Sequence, residues 1–598
     1  MQGDETSAGT DRRHPSVIYC LAICATVSGF LMGYDTGIIN GAVILIDEQF
    51  TLTDLWISLI VSSTIFSAAM FSFVSGALAD TIGRKLTIMI SGVVFSIGGG
   101  IMGVANGTEM LLVGRLVVGA SIGIASSVVP VYVSECAPAD IRGQLITMYQ
   151  LFITVGIMAS ALLAAGLQEL KESGWRWMLG SAALPGMFQF IFFILLPESP
   201  RYQMMRGQTL QALNTLRRIR GLENVEKEML DIQQSLDEEE AGKHVSVLAK
   251  MLQTPHVRKA LFIGCSLQMF QQFCGINTVI YYSATILKYA GYARKQALWL
   301  ACIPATFNFL ATFIALWAVE TTGRKMILAF SFGAIAGALG VMSFGFAMVH
   351  LESPPASSSF EENPMEDLCS QYHTCEECIY DKLCGYCASN TDDDEPLNGS
   401  CISTDIGDKQ FALWGKCSYS NISNSYKRND VMWVYGLCPS VFSFFAEAGL
   451  ILVVLSFAPG AGPMPWTINA EIYPSWCRGM ANSLATLTNW TCNLIVSFSF
   501  LTLKYYLYMW GTFLLFGLAS VLGSCFVVLY VPETKGKTLE EIQLVFMNKQ
   551  ERQESMPSSE SQESQSSRMP EELMQKKCKS VGWLPVYRTS SRGSTELE

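Results

Sequence analysis

Twelve apolar runs, each close to the length that carries a helix across a bilayer, decide what this chain can become. About twenty apolar residues span the hydrocarbon as a helix, and the runs lie near 17–39, 56–78, 87–105, 109–133, 145–167, 175–196, 259–286, 297–319, 326–349, 439–463, 480–502 and 507–531. Half of the 598 residues are hydrophobic and 15% are charged, too apolar a balance for an ordinary soluble protein. The expected fold class is therefore an all-α membrane protein of twelve transmembrane helices. No cleavable signal peptide is expected, because the first run is too long for an h-region and lacks a small-residue cleavage site. Arg12 and Arg13 flank that run, and Arg84, Arg142, Arg201, Arg324, Arg478 and Lys535 fall in loops of the same side. Counted over short loops, this bias puts both termini in the cytoplasm.

The runs are duplicated. Asp80-Thr81-Ile82-Gly83-Arg84-Lys85, after run two, recurs 240 residues on as Glu320-Thr321-Thr322-Gly323-Arg324-Lys325, after run eight. Glu135, Pro138, Arg142 and Gly143 recur 336 residues on as Glu471, Pro474, Arg478 and Gly479. Two six-helix halves follow, with an insertion between runs nine and ten. A third pair, Pro197-Glu198-Ser199-Pro200-Arg201 against Pro532-Glu533-Thr534-Lys535-Gly536, nearly keeps that register. Parallel six-helix repeats around a central site are a transporter architecture. The boundaries expected are a cytoplasmic N-terminus over 1–16, a first half over 17–200 and a cytoplasmic linker with short helices over 201–258. Helices seven to nine occupy 259–349, a cysteine-rich insert 350–438, helices ten to twelve 439–531 and a largely disordered cytoplasmic tail 532–598.

Asp35 is a carboxylate inside the first run, and an acid in hydrocarbon marks a pathway, a proton relay or a buried ion pair. It is read as lying about five residues inside the outer end of run one, roughly 7 Å deep at 1.5 Å per residue. Arg115, in run four, is read at a matching depth of roughly 9 Å. Proximity of the two would decide which protonation state of Asp35 is stable. Run seven carries Gln271, Gln272, Asn277, Tyr281 and Tyr282 within twelve residues. Amides both donate and accept, which suits a ligand bearing hydroxyls. A bend near Gly275 is expected, since Asn277 otherwise sits about 120° around the helix from Gln271.

The paired Gly-Arg-Lys loops, PESPR, PETKGK, GPMPW and QQFCGIN together resemble the sugar-porter branch of the major facilitator superfamily, over roughly residues 17–545. The resemblance implies alternating access, a small polyhydroxylated substrate and no cofactor beyond the proton as coupling ion. It adds Gln150, Asn308, Trp466, Asn489 and Trp490 as substrate-binding candidates. Proton-coupled members carry an Asp and an Arg at the positions of Asp35 and Arg115, which favours symport. It also implies that Asp80, Arg84, Glu135, Arg142, Glu320, Arg324, Glu471 and Arg478 form a gate closing the cytoplasmic side. Taken singly, the same charges are solvated ion pairs at helix ends.

The insert holds Cys369, Cys375, Cys378, Cys384, Cys387, Cys401 and Cys417, with Cys438 at its junction with run ten. Two C-x2-C pairs would suggest zinc in a cytosolic protein, but on an oxidising face disulfides are expected and no metal. Eight cysteines allow four bridges whose pairing the spacing does not give. Asn398 and Asn421 begin N-x-S sequons and are expected to be glycosylated. Cys384-Gly385-Tyr386-Cys387 resembles a plexin-semaphorin-integrin type module, which within sugar porters is characteristic of proton-coupled myo-inositol transporters. That narrows the expected substrate from hexose to cyclitol. A facilitative hexose uniporter and a non-transporting nutrient receptor are the alternatives. The partners expected are protons and the lipid bilayer, with no nucleic acid, and the location a plasma membrane. An enzyme is not expected, since the chain has no P-loop, no G-x-S-x-G and no zinc-protease histidine pair.

Overall fold

The structure is a computed structural model that describes residues 16–547, except 51, 139–140, 171–172, 222–224, 242–246, 290–293, 362–366, 382, 390–397, 405–410, 419–430, 436–437, 439–441, 443, 475 and 536–538. The sequons and charges read above are therefore only partly visible: Asn421 and the tail beyond 547 lie outside the described residues. The described residues up to Gln543 belong to one compact unit, and Leu544 onward to a second.

The first half contains α1 (Ser16–Phe50), α2 (Asp54–Ile82), α3 (Arg84–Gly103), α4 (Thr108–Cys136), α5 (Arg142–Leu167) and α6 (Gly174–Gly180 with Ala183–Leu195). The second contains α7 (Pro255–Phe273 with Ile276–Tyr289), α8 (Arg294–Leu300 with Cys302–Thr321), α9 (Arg324–Leu351) and α10 (Phe444–Phe457 with Met464–Ile472). One helical stretch, Arg478–Tyr530, supplies α11 (478–507) and α12 (509–530) across Tyr508, whose φ of 56° lies outside the helical region. Among the described residues nine helices are long and apolar enough to cross a membrane. The difference from twelve is geometric, because α7 and α10 are each broken in two and α11 and α12 are fused. Apolar side chains such as Phe66, Phe188, Leu195, Trp317 and Phe330 face outward, while serines, threonines and amides are buried within. That inversion suits a hydrocarbon surround, in which polar groups are satisfied inside the bundle.

Close packing joins α1 and α5. Gly29, Gly33, Gly37 and Gly41 form a stripe at four-residue spacing, and an added Cβ at Gly33 would stand 1.9 Å from the Ile153 carbonyl oxygen. Small residues at this spacing let two membrane helices meet backbone to backbone. The α1 helix also continues past residue 39 to Phe50, because Gly41 to Ile46 extends the apolar run. Asp35 accordingly sits near the middle of its helix and not near its outer end.

The duplicated loops fold alike. Gly83 and Gly323, at φ of 101° and 100°, make the same turn into α3 and α9, a conformation that a side chain opposes. Each turn is capped by a glutamate from the third repeat pair. Glu198 accepts the Lys85 N–H at 3.1 Å, and Glu533 accepts the N–H groups of Arg324 at 3.0 Å and Lys325 at 3.1 Å. A carboxylate on the free N–H groups of a helix start is favourable on both hydrogen-bonding and dipole grounds. Burial pushes the Glu198 carboxyl up, and the N–H groups of Ser199 and Lys85 oppose that rise. In the linker, Thr209–Arg220 is a helix burying Ala212, Leu213, Leu216 and Ile219, while Leu210 faces out.

The insert is a three-stranded antiparallel sheet in the order β2-β1-β3, formed by β1 (Cys384–Ser389), β2 (Gly399–Ser403) and β3 (Val431–Val434). Four disulfides hold it: Cys369–Cys384, Cys375–Cys438, Cys378–Cys401 and Cys387–Cys417. The two cysteines of each C-x2-C pair go to different partners, so neither pair forms a chelating unit. Asp367 ties the chain before β1 to the sheet, accepting from the hydroxyl and N–H of Ser403 and from Trp414 Nε1 at 3.1 Å. Asn398 is exposed at the start of β2.

Candidate functional site

Two sides of the bundle are distinguished by their loops, one carrying the Gly-Arg-Lys turns and the other the insert. Near the middle of α1, Asp35 meets Arg115 of α4: Arg115 Nη1 donates to Asp35 Oδ1 at 2.5 Å. The two side chains are 5% and 2% exposed, so water screens the pair little. Arg115 is held from a third helix as well, its Nε donating to the Ile60 carbonyl at 3.2 Å and its Nη2 to that of Val61 at 3.4 Å. Three acceptors on two helices fix the guanidinium, and Asp35 is the only charged one among them.

The next residue, Thr36, lines a cavity of about 920 Å³ between the halves. Of the residues read from run seven, Gln271, Gln272, Asn277 and Tyr281 line it, as do Gln150, Asn308, Trp466 and Asn489. The break in α7 makes this possible. Gly275 takes φ of 76°, and an added Cβ would meet the Phe516 ring at 2.5 Å. Tyr282 and Trp490 turn away: Tyr282 lies 4.9 Å from the Phe500 ring, and Trp490 Nε1 donates to Ser126 Oγ of α4 at 3.2 Å. Successive helical residues point about 100° apart, so Tyr281 and Tyr282 cannot share one wall.

The cavity amides bond one another. Asn489 Nδ2 donates to Gln268 Oε1 at 2.7 Å and to Gln271 Oε1 at 2.8 Å, and its Oδ1 accepts from Gln272 Nε2 at 3.1 Å. Asn277 Nδ2 donates to Gln272 Oε1 at 2.6 Å. Asn493 of α11 donates to the Tyr281 hydroxyl at 3.4 Å. Gln268 and Asn493 were not singled out from sequence, although Gln268 stands one helical turn before Gln271 and so shares its face. Gln268 Nε2 and Asn308 Oδ1 are buried without a hydrogen-bond partner among the described residues.

The cavity continues to Asp80, Arg84, Glu135, Arg201 and Arg478 and so reaches the Gly-Arg-Lys side. On the insert side α1 and α7 are bonded together, Asn40 donating to Ser283 Oγ at 2.7 Å and accepting from the Ala284 N–H at 2.9 Å. Arg84 pairs with Asp80 at 3.0 Å and Glu135 at 3.2 Å, Ser199 donates to Glu135, and Arg324 pairs with Glu471 at 3.4 Å. These pairs lie within one half each. Arg478 donates to the Tyr473 carbonyl at 3.2 Å. Arg142 opens α5 and Glu320 lies in the last turn of α8; their side chains fall outside the described residues.

The profile of the family described as "Sugar (and other) transporter" matches residues 21–359 and 399–546. The chain is 40% identical over 556 residues to the human "Proton myo-inositol cotransporter", covering 92% of this chain and 84% of that protein. It is 36% identical to the "Probable inositol transporter 2" of Arabidopsis thaliana, over 88% of this chain and 90% of that protein. It is 30% identical to the "Galactose-proton symporter" of Escherichia coli K12, over 89% and 95%. The solved structure of the proton:xylose symporter XylE superposes with a TM-score of 0.66 at 24% identity, covering 89% of this chain and 99% of that one. Two bundles of six helices around an amide-lined cavity, an acid-base pair beside it and a family profile spanning both halves lead to one conclusion: the chain belongs to the sugar (and other) transporter family and has the fold of the proton:xylose symporter.

Proposed function

We propose that this chain is a symporter carrying myo-inositol, or a related cyclitol, together with protons by alternating access. The observation that carries the reading is the Asp35–Arg115 pair, buried one residue from the cavity wall. An ionised Asp35 pairs with Arg115, and a proton on it removes the charge and weakens the pair. Because Thr36 and Asn40 on the same helix touch the cavity and α7, a change at Asp35 is felt at the seam between the halves. Gln150, Gln271, Gln272, Asn277, Tyr281, Asn308, Trp466 and Asn489 are the proposed substrate contacts. The relatives named as inositol transporters support the substrate class.

In this reading the Gly-Arg-Lys side and both termini are cytoplasmic, the insert is extracellular with Asn398 glycosylated, and the conformation described is inward-facing. The charges from Asp80 to Arg478 stiffen each half and meet across the seam when that side closes. The membrane is proposed to be the plasma membrane.

The test is uptake of labelled myo-inositol and of glucose into proteoliposomes, with and without an inward proton gradient. Gradient-driven accumulation of myo-inositol is expected. Equal uptake without the gradient, or preference for glucose, overturns the reading. Asp35→Asn is expected to abolish accumulation while leaving exchange of internal for external substrate measurable.

A further inference from the structure

The clearest sign of how occupancy reaches the moving parts is that the donors of Gln271 are already in use. An amide nitrogen carries two N–H groups, and both of those on Gln271 are spent on α10, reaching the carbonyls of Ala461 at 2.7 Å and Gly462 at 2.8 Å. These carbonyls lie in the break between Phe444–Phe457 and Met464–Ile472, where helical hydrogen bonding is interrupted. The break has a separate hold on an N–H. Ala461 N–H donates to Ser331 Oγ of α9 at 2.8 Å, and Ser331 in turn donates to the Ser456 carbonyl at 2.6 Å. Gln271 lines the cavity, as does Trp466 just beyond the break, whereas Ser331 does not.

We propose that Gln271 is an occupancy-sensitive positioning residue, whose amide clamps the α10 break through both of its N–H groups and is drawn off it by a bound polyhydroxylated ring. The inference rests on the transport reading above for the identity of that ring. A hydroxyl that accepts from Gln271 takes a donor from Ala461 or Gly462. Both of those residues are buried, so water does not readily replace the lost bond. The Met464–Ile472 segment is then freed to move about its Gly460–Pro463 hinge, carrying Trp466 with it. Substrate binding and restraint of that segment are thus two uses of the same pair of N–H groups.

The experiment is hydrogen–deuterium exchange of the full chain in lipid nanodiscs, read over residues 457–466 with and without myo-inositol. In the unaltered chain myo-inositol is expected to speed exchange of the 460–464 amides about tenfold, the loss of roughly one hydrogen bond. In Gln271→Met the same amides are expected to exchange fast without ligand and to show no further change on adding it. Gln271→Glu, which keeps the side chain's length and its bond to Asn489, serves if the methionine variant does not fold, and is expected to behave the same way. Ser331→Ala, which leaves the cavity wall intact, is expected to raise the basal exchange while keeping the myo-inositol effect. Equal exchange in the unaltered chain and the Gln271 variants overturns the clamp. A break loosened by Gln271→Met but indifferent to myo-inositol in the unaltered chain overturns the occupancy response where proteoliposomes take up myo-inositol, and overturns the substrate assignment where they do not, so the two failures are distinguishable.

Discussion

Arg115 shows how much one side chain can be asked to do inside a bundle. Among the described residues Asp35 alone pairs with its charge, while its remaining bonds go to backbone carbonyls of α2. Arg115→Leu is therefore expected to destabilise the folded protein by about 3–5 kcal/mol, the cost of leaving one partner of a buried pair uncompensated. Asp35→Asn keeps an acceptor at the same place and is expected to cost less. Thermal unfolding of the two variants in detergent checks the order. In the insert, Asp367 gives a pH prediction. Burial raises its carboxyl, but the hydroxyl and N–H of Ser403 and the Trp414 ring N–H outweigh that, and the net shift is downward. A depressed folded-state pKa contributes stability at pH above the ordinary Asp value of about 3.9, lost as pH falls through the folded value. Asp367→Asn is expected to make the insert easier to unfold at neutral pH by about 1 kcal/mol, the low end for a charged hydrogen bond because solvent screens it, with the difference from the unaltered chain narrowing as pH falls below the ordinary Asp value. Rates of disulfide reduction in the insert by a water-soluble phosphine, variant against unaltered chain at neutral and at acid pH, measure it.

Among elements, the α1–α5 contact sets the tolerance to change. Gly33→Ala places a methyl group against the Ile153 backbone, and overpacking of this kind costs about 1–3 kcal/mol because backbone has to move. Gly100→Ala on α3, where an added Cβ meets nothing within 4 Å, is expected to be neutral or slightly stabilising. Folded yield and melting temperature of the pair separate a packing requirement from a general intolerance of α1 and α3 to substitution. The glycine stripe was present in the sequence at residues 29, 33, 37 and 41, yet no partner helix could be named from it. A four-residue spacing of glycines marks a close approach but not what approaches. The break in α7 was legible for the opposite reason: Gly275 acts on its own backbone, and a local cause has a local signature.

For the whole molecule, the duplicated charges are the part where sequence and structure meet most unevenly. The repeats at Asp80–Lys85 and Glu320–Lys325 fold as equivalent turns, and the third pair supplies an equivalent cap to each. Glu198 and Glu533 were read as a register mark, whereas they tie the end of each half to the start of its third helix. The pairs Arg84–Glu135 and Arg324–Glu471 stay within their halves in this conformation, as expected where the Gly-Arg-Lys side is open. If the opposite conformer brings the halves' charges together there, Arg142→Ala favours the inward-facing form by about 1 kcal/mol, a factor of about five in population. Labelling of Ser483→Cys on the cavity wall from the Gly-Arg-Lys side is expected to rise correspondingly; an unchanged rate counts against the gate.

Sequence by itself determined the number of crossings, the duplication and the broad placement of polar residues on run seven, because hydrophobic length and repeated loop motifs are properties of short stretches. Tertiary structure alone decided which polar atoms meet. The donors of Gln271 find carbonyls 190 and 191 residues away, the two cysteines of each C-x2-C pair part company, and Tyr281 faces the cavity while Tyr282 turns from it. Within the bundle a buried polar group is satisfied chiefly by other helices, and which partner it finds, like which cysteine meets which in the insert, depends on how distant stretches lie against each other.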